Sequence, residues 1–433
     1  MRNWLLFVLM FLPLCSHAQI SWEEVDRLAA AVRPQVVEWR RWFHENPELS
    51  NREFNTSVRV AGILSDMGLE PQSGIAHTGV VAIIEGGKPG PLVAIRADMD
   101  GLPVSEETGL PFASTARGEY NGQEVGVMHA CGHDSHMAMV LGAASVLNAV
   151  KEELPGSVML IFQPAEESAP AGEEGGAELM LKEGLFTPQK PEAVFGLHVG
   201  INQPGGKIAV RSGPMLAAVD SFKLEVRGKQ THGARPWNGV DPIVVASQIV
   251  LGLQTIASRQ VDVTQAPSIV SVGRISGGVR NNVIPDSVEM EGTIRTFDAA
   301  MRDQIHMRIE RTARLIAESA GASIEFELNY GYPATINDPG LTEKMTPTLQ
   351  RVAGEGGLVS VQPQTVAEDF SYFANEVPGL YMFLGNGEPG IDPSTLPSNH
   401  SPLFEMYEPS MEIGVRAFSH LVVEYLQSLE ERE

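Results

Sequence analysis

The sequence predicts an α/β protein with a doubly wound, mostly parallel sheet and an inserted ferredoxin-like α+β domain. In residues 19–213 and again in 331–433, short apolar runs alternate with helical stretches, as in a parallel sheet covered on both faces. In residues 214–330 the predicted order is β-α-β-β-α-β, which is typical of the ferredoxin-like split unit. A chain of 433 residues is also long enough for two domains.

The first and last parts contain most of the predicted helices. Ser21 and Glu24 form a capping box that opens a helix ending near Ala31, and Pro34 suits the first turn of a second helix that ends at Asn46. Further helices are predicted at 54–67, 137–150, 176–183, 341–353 and 409–429. Apolar runs bounded by turn residues predict buried strands at 79–85, 91–97, 157–162, 193–197 and 379–384.

The inserted domain has its own complete set of elements. Its predicted strands are 221–226, 268–272, 288–295 and 323–330, and its predicted helices are 241–257 and 299–320. A unit of this length is large enough to form its own core.

The first 18 residues have the pattern of an export signal. Arg2 supplies a positive start, residues 4–14 an apolar run, and Ser16-His17-Ala18 a small-x-small cleavage site. The run is too short to span a membrane, although a single-pass anchor is the alternative. We expect cleavage near Ala18 and a soluble periplasmic or secreted protein. The formal net charge of −23 argues against nucleic acid and anionic membranes as partners.

Cleavage would remove Cys15 and leave Cys131 as the one thiol, inside the stretch VMHACGHDSHMAM at 127–139. A thiolate beside an imidazole is either a pair of metal ligands or a nucleophile with its base. A buried cysteine beside solvated histidines is the functionless alternative. A lone thiol in an oxidising compartment is reactive, and a bound metal would occupy it.

Other candidate ligands follow predicted strands, where open α/β sheets build their sites. They are Asp98 and Asp100, Glu166 and Glu167, His198, and His400 ahead of the last helix. Adjacent glutamates on extended backbone point opposite ways, so one can bind metal while the other acts as general base. A solvated acidic pair and two structural histidines are the alternatives for these residues.

These residues carry a resemblance to a known family. The matching strings are ADMDGLP at 97–103, HACGHDSH at 129–136, QPAEE at 163–167, GLH at 196–198, GKQTHGARPWNGVDPI at 228–243, NNVIPD at 281–286, AEDFS at 367–371 and NHSP at 399–402. They resemble the metal-dependent amidohydrolases of N-acyl amino acids, including hippurate and auxin-conjugate hydrolases, within the aminoacylase and carboxypeptidase family of metallopeptidases. The likeness covers nearly the whole mature chain.

The resemblance implies a role for each motif residue. The implied metal ligands are Cys131, His133, Glu167, His198 and His400. Glu166 would be the general base, and Asp100 would orient a ligand without binding metal itself. Other branches of the family have a histidine where Asp98 stands and a bridging aspartate in place of the cysteine, so Cys131 would bridge or cap the metals. His129, Asp134 and His136 would support the ligands.

The resemblance also implies that the inserted domain is a lid through which two chains form a homodimer. His232 would contact a substrate carboxylate or the developing oxyanion, in its own subunit's site or in the partner's, and Asn282 would help to hold the substrate. Trp237 would either favour aromatic groups or anchor an interface. Closure of the lid would need hinges near Met215 and Tyr330.

The predicted function is hydrolysis of the amide bond of an N-acyl amino acid or similar small amide by metal-activated water. One or two divalent ions per subunit, Zn, Mn or Co, suit a mixed set of S, N and O ligands. The alternatives are a dipeptidase or carboxypeptidase with the same site, a deacetylase of a cell-wall intermediate, an enzyme with Cys131 as nucleophile, and a non-catalytic periplasmic binding protein.

Overall fold

The computed structural model describes residues 19–187, 189–200 and 203–430. The predicted export signal lies outside these residues. Among the helices described, none is both long enough and apolar enough to cross a membrane.

The helices and strands cover most of the described chain. The α-helices are α1 (Trp22–Glu45), α2 (Phe54–Asp66), α3 (His133–Ala149), α4 (Gly176–Lys182), α5 (Pro242–Thr255), α6 (Ala299–Ser319), α7 (Pro339–Ala353), α8 (Phe370–Glu376) and α9 (Met411–Glu430). The strands are β1 (Gln72–Ile75), β2 (Gly79–Ile84), β3 (Lys88–Asp98), β4 (Arg117–Tyr120), β5 (Gln123–Gly126), β6 (Pro155–Gln163), β7 (Val194–Val199), β8 (Ile208–Val210), β9 (Gly213–Leu216), β10 (Ala218–Arg227), β11 (Thr231–His232), β12 (Ser268–Ser276), β13 (Val283–Ile284), β14 (Ser287–Thr296), β15 (Ser323–Tyr330), β16 (Thr335–Asn337), β17 (Leu358–Ser360) and β18 (Gly379–Leu384).

The larger sheet has eight strands in the order β1-β2-β6-β3-β7-β18-β8-β17. Its four central strands, β6, β3, β7 and β18, are parallel, whereas β1, β2 and the β18–β8 pair are antiparallel. Side chains alternate between two cores: Val93 and Ile95 join the core with α1, α3 and α9, while Leu92 and Ala94 join the core with α4 and α8. The sheet is therefore covered on both faces, which confirms the predicted α/β class.

The smaller sheet is antiparallel, with the order β12-β14-β10-β15. Helices α5 and α6 pack on it around a separate core that includes Phe222, Ile249 and Ile305. Strand order and connectivity are those of the ferredoxin-like unit, as predicted. The sheet begins at Ala218 and ends at Tyr330. The domain limits at 213/214 and 330/331 stay a prediction.

Three elements differ from their predictions. The two predicted N-terminal helices are one helix, α1, with Pro34 inside it. Its buried residues Val25, Val36 and Phe43 continue along one face that packs against α3 and α9. That packing outweighs the roughly 3 kcal/mol cost of an interior proline. Helix α3 begins four residues earlier than predicted, and His198 lies inside β7, not after it.

Candidate active site

The ends of three central strands bring the predicted site residues together. Strands β6, β3 and β7 are parallel neighbours, and Asp98 at the end of β3 pairs with Gln163 at the end of β6. Arg96 pairs with Gly196, two residues before His198 on β7. The loops after β3 and β6 and the end of β7 therefore meet at one edge of the sheet, as in other open α/β folds.

The cysteine motif reaches this edge at the start of α3. Gly132 caps the helix with φ +94°, and an added Cβ would lie 2.3 Å from Cγ2 of Val199. Glycine is required at this position for two reasons: the backbone is left-handed, and β7 approaches too closely to leave room for a Cβ. The turn leaves Cys131 just outside the helix and His133 in its first turn, both buried.

The side-chain donor atoms of the other four predicted ligands cluster around Cys131. Its Sγ lies 3.3 Å from Nε2 of His198 and 3.3 Å from Nε2 of His400. The same His400 nitrogen is 3.1 Å from Oε1 of Glu167, which in turn is 3.9 Å from Nε2 of His133. The residues span positions 131 to 400, so only the folded chain assembles the set.

Hydrogen bonds on the far side of two imidazoles direct their Nε2 atoms into the cluster. Nδ1 of His133 donates to the Asp100 carbonyl at 2.8 Å, and Nδ1 of His198 donates to the Val199 carbonyl at 2.8 Å. Among the described residues, buried His133 Nε2 has no hydrogen-bond partner. A buried polar atom without a partner is costly, and a divalent cation would satisfy it. The residues therefore fit a metal.

Cys131 is common to two sets of three potential ligands. His133 and His198 complete one set, and Glu167 and His400 complete the other; within each set the ligand atoms lie within 4.8 Å of one another. Cys131 would therefore be a ligand in either set, in keeping with the bridging or capping role that the resemblance implies.

The electrostatics of the cluster favour a cation. Burial and the carboxylates of Glu167 and Glu166 raise the pKa of the Cys131 thiol well above its ordinary value. A protonated thiol is a poor nucleophile, which argues against Cys131 as the attacking group, whereas a bound cation would restore the thiolate. Burial lowers the pKa of His198 well below its usual range, so this imidazole stays neutral, the form that binds metal.

Glu166 and Glu167 lie in a turn held from several sides. Their N–H groups donate to Asp100 Oδ1 at 3.1 Å and Oδ2 at 3.0 Å, and the Ala165 N–H donates to Oε1 of Glu53 at 2.9 Å. Ala165 has φ +53°, which a non-glycine residue adopts only when its surroundings enforce it. Asp100 thus contacts His133 and both glutamates.

The Glu166 carboxylate is buried, with Oε2 3.8 Å from Nε2 of His133. Burial and the nearby carboxylates of Glu368 and Glu167 raise its pKa well above the ordinary value for glutamate. A cation beside it would act in the opposite direction and favour the ionised form. The group is in position to exchange protons with a molecule held in the cluster.

Asp98 makes two charged contacts beside the cluster. Its Oδ2 accepts from Arg96 at 2.6 Å, and its Oδ1 accepts from Nδ1 of His136 at 2.6 Å. Nε2 of His136 accepts from the Val199 N–H at 2.8 Å, so His136 supports the strand that carries His198. Arg96 also contacts Asp369, within the AEDFS string.

The two other residues of the cysteine motif differ in their surroundings. Asp134 accepts from Arg40 Nε at 2.7 Å and lies 2.8 Å from Nδ1 of His44, which ties the start of α3 to α1. His129 is buried, and neither ring nitrogen has a hydrogen-bond partner among the described residues. No supporting contact to a ligand is therefore assigned to His129.

His232 and Asn282 lie together on the smaller domain. His232 pairs with Val283 in the two-stranded β11–β13 ribbon, and the Gly233 N–H donates to the Asn282 carbonyl at 2.8 Å. His232 is exposed, with Nδ1 accepting from the Ala234 N–H at 3.0 Å. No hydrogen bond or ion pair in the described part of the chain joins either residue to the cluster.

Sequence reasoning assigned no role to Glu53, Arg96 or Tyr332. Glu53 holds the Ala165 N–H, Arg96 engages Asp98, and the Tyr332 hydroxyl donates to the Glu166 carbonyl at 2.8 Å. Arg96 directly precedes ADMDGLP, and an arginine at the end of an apolar run signals a buried partner. No comparable pattern marks Glu53 or Tyr332.

Comparisons with known proteins show the family to which this chain belongs. The model of peptidase family M20/M25/M40 matches residues 94–424. Thermostable carboxypeptidase 1 of Saccharolobus solfataricus is 40% identical over 409 residues, which cover 93% of this chain and 98% of that relative. N-acetyl-L-cysteine deacetylase of Bacillus subtilis is 38% identical over 356 residues, covering 82% of this chain and 81% of the relative.

A solved structure gives the same result. The Bacillus subtilis YXEP protein, described as a dinuclear metal binding peptidase from the M20 family, has a TM-score of 0.76 at 34% identity, covering 92% of this chain and 99% of that one. The family match, the relatives and the clustered ligands all point the same way, which confirms the resemblance. The chain belongs to peptidase family M20/M25/M40 and is a metal-dependent amidohydrolase of linear amides.

Proposed function

We propose that this protein hydrolyses the amide bond of N-acyl amino acids, releasing a carboxylic acid and a free amino acid. The observation that carries the proposal is the clustering of four donor atoms around the Cys131 thiol, with the Glu166 carboxylate 3.8 Å from His133 Nε2. The cluster contains both a place for metal and an adjacent carboxylate, Glu166, that lies outside the two ligand sets built on Cys131.

Two divalent ions, Zn, Mn or Co, would be held by Cys131 with His133 and His198, and by Cys131 with Glu167 and His400. When bound, the metal would polarise the amide carbonyl and lower the pKa of the attacking water. Its supporting contacts are already made: Asp100 fixes His133, and the Val199 carbonyl fixes His198.

Glu166 would act as the general base and then as the general acid. Its carboxylate takes a proton from water while the water oxygen attacks the carbonyl carbon. The same group passes that proton to the amide nitrogen as the carbon–nitrogen bond breaks. Burial of Glu166 excludes bulk water from this exchange.

His232 would donate a hydrogen bond to the oxyanion or to the substrate carboxylate, with Asn282 beside it. Both lie on the smaller domain and His232 is exposed, so we propose that they serve the site of a partner subunit in a homodimer. Strand β12 is at one edge of its sheet, where Ile275 is 53% exposed, and Leu251 on the neighbouring α5 is 72% exposed. An apolar edge of this kind suits pairing with a second copy.

The dimer is tested by light scattering after gel filtration. Replacing Leu251 and Ile275 together by Glu should yield a monomer. Met307→Glu is the matched control, because this residue is 64% exposed on α6, which packs at the β15 side of the sheet. A monomeric parent protein, or a double variant that stays dimeric, would contradict the proposal.

Carboxypeptidase or dipeptidase activity is the second candidate, because carboxypeptidase 1 of S. solfataricus is 40% identical. Both activities release an amino acid with a free carboxylate and differ on the acyl side. The test measures kcat/KM for N-acetyl and N-benzoyl amino acids against matching dipeptides, with Zn²⁺, Mn²⁺ or Co²⁺. We expect N-acyl substrates to be favoured. Preference for dipeptides would establish the second candidate, and metal binding without hydrolysis would indicate a binding protein.

We also propose export with cleavage after Ala18, on the sequence pattern of residues 1–18 alone. Mass spectrometry of the protein recovered from a bacterial periplasmic fraction should give a chain that begins at Gln19. An uncleaved protein in the cytoplasmic fraction would refute this.

A further inference from the structure

Tyr332 contacts both domains. Its hydroxyl donates to the backbone carbonyl of Glu166 at 2.8 Å, and its own carbonyl accepts from the Val219 N–H at 3.0 Å. Val219 belongs to β10, the first strand of the smaller sheet, and Tyr332 follows β15, the last strand of that sheet. One residue therefore joins the turn that carries Glu166 to the strand where the chain enters the smaller domain.

The segment just before Tyr332 is firmly attached to the smaller domain. The Gly331 N–H donates to Asp220 Oδ1 at 3.1 Å, and Arg302 Nη2 donates to the Gly331 carbonyl at 2.9 Å. Arg302 also binds the Asp220 carboxylate through Nε at 2.9 Å and Nη2 at 2.5 Å. An added Cβ at Gly331 would lie 2.5 Å from the Val219 carbonyl oxygen, so the two segments are in close contact. Movement of the smaller domain would move Tyr332 with it.

The turn at the other end of this link depends on outside contacts. Ala165 and Ser168, on either side of the glutamate pair, have φ +53° and +85°. Non-glycine residues keep such values only where the surroundings hold them. Glu53 and Asp100 hold the N–H groups of this turn, and the Tyr332 hydroxyl holds the carbonyl of Glu166. Burial and the nearby Asp369 raise the pKa of Tyr332 well above its ordinary value, so its hydroxyl stays a donor.

We propose that Tyr332 is a positioning residue that couples the placement of the smaller domain to the alignment of Glu166. The inference rests on the proposed role of Glu166 as general base. With the smaller domain in the position that the structure shows, the Tyr332 hydroxyl fixes the Glu166 backbone. When the domain moves away, the hydrogen bond from Tyr332 to the Glu166 carbonyl is lost. A displacement of about 1 Å at a reacting group costs up to about a hundredfold in rate.

Tyr332→Phe tests the proposal, because it removes the hydroxyl and keeps the ring. Tyr372→Phe is the matched control, since the Tyr372 ring packs edge-to-face on that of Tyr332 with centroids 6.1 Å apart. For Tyr332→Phe we expect kcat to fall about ten- to a hundredfold, with KM within about twofold of the parent. Metal content should be unchanged. Hydrogen–deuterium exchange in the peptide covering 163–169 should be faster, and Tyr372→Phe should match the parent in all measurements.

Three results would overturn the proposal: an unchanged kcat in Tyr332→Phe, a lower kcat with unchanged exchange in 163–169, or an equal loss in Tyr372→Phe. Failure of the proposed function would look different. In that case the parent protein would hydrolyse none of the substrates, while the exchange comparison would still report whether Tyr332 holds the turn.

Discussion

Asp100→Asn is the substitution whose consequences follow most directly from the contacts of the site. Oδ1 accepts from the Glu166 N–H at 3.1 Å, and Oδ2 accepts from the Glu167 N–H at 3.0 Å and the Ser50 hydroxyl at 2.7 Å. An amide replaces one of these oxygens by an NH₂ group that cannot accept. At the Oδ1 position the NH₂ would also face Nδ1 of His133, 3.2 Å away.

The less costly orientation puts the NH₂ at the Oδ2 position, because the Ser50 hydroxyl can rotate and accept from it. One part-buried N–H, that of Glu167, is then left without an acceptor, which costs about 1 kcal/mol of unfolding free energy. The turn carrying the glutamates loses part of its support as well. Loss of such a contact behind a metal ligand lowers metal affinity or activity by about 10- to 100-fold.

The assay combines urea unfolding, metal titration and kcat/KM for Asp100→Asn and the control Ser50→Ala. The control removes one hydroxyl donor but leaves both backbone N–H groups bonded to Asp100. We expect it to cost about 1 kcal/mol of stability and little activity. Parent-like metal affinity and kcat/KM in Asp100→Asn, or equal losses in Ser50→Ala, would refute the assignment of Asp100 as the residue that orients the glutamates.

Three further predictions address the base, a glycine and the pH dependence. Glu166→Gln should lower kcat by about 10²–10⁴-fold at unchanged metal content, and a variant that retains hydrolysis would exclude Glu166 as the base. Gly132→Ala should lose more unfolding free energy in urea than Gly68→Ala. Both glycines have positive φ (+94° and +80°), which alone costs alanine about 1–2 kcal/mol, but only at Gly132 would the added Cβ clash with a side chain. Equal losses would contradict the close approach of Val199 to Gly132. Burial would raise the pKa of Asp220, but hydrogen bonds from Arg302 help to hold this pKa at about 2. The ionised carboxylate therefore stabilises the fold above pH ~4, and this contribution is lost as pH falls through about 2. The difference in unfolding free energy between the parent and Asp220→Asn should shrink over that range, and a constant difference would argue against the lowered pKa.

Much of the fold was predictable because its pattern is local. Buried strands such as β18 are short apolar runs between turns, and the inserted unit has the period and order of a ferredoxin-like domain. The prediction failed at Pro34, where a strong local stop is overridden by packing of the helix on both sides of it. The predicted start of α3 was also too late. The polar residues of its first turn make their hydrogen bonds to partners far away in the sequence, such as Arg40, so no local pattern marks the start of the helix.

The candidate ligands were predictable for a different reason. Each stands in a short motif. Glu167 follows β6 and His198 lies near the end of β7, and the ends of these strands meet at one edge of the sheet. The residues that hold those ligands have no motif of their own. Glu53 is 112 positions from the N–H that it accepts, and Tyr332 is 166 positions from the carbonyl to which it donates. Their partners are backbone atoms, which carry no side-chain signature in the sequence.

The sequence by itself determined the α/β class, the inserted domain, the family and the identity of the candidate ligands, because all of these depend on periodicity or on contiguous motifs. The tertiary structure decided which atoms face the metal position. It assigns Asp98 to Arg96 and His136, turns the Nε2 atoms of His198 and His400 toward Cys131, and holds the Glu166 turn between Asp100 and Tyr332. These outcomes depend on hydrogen bonds between residues far apart in the chain, and only the packed structure fixes which donor meets which acceptor.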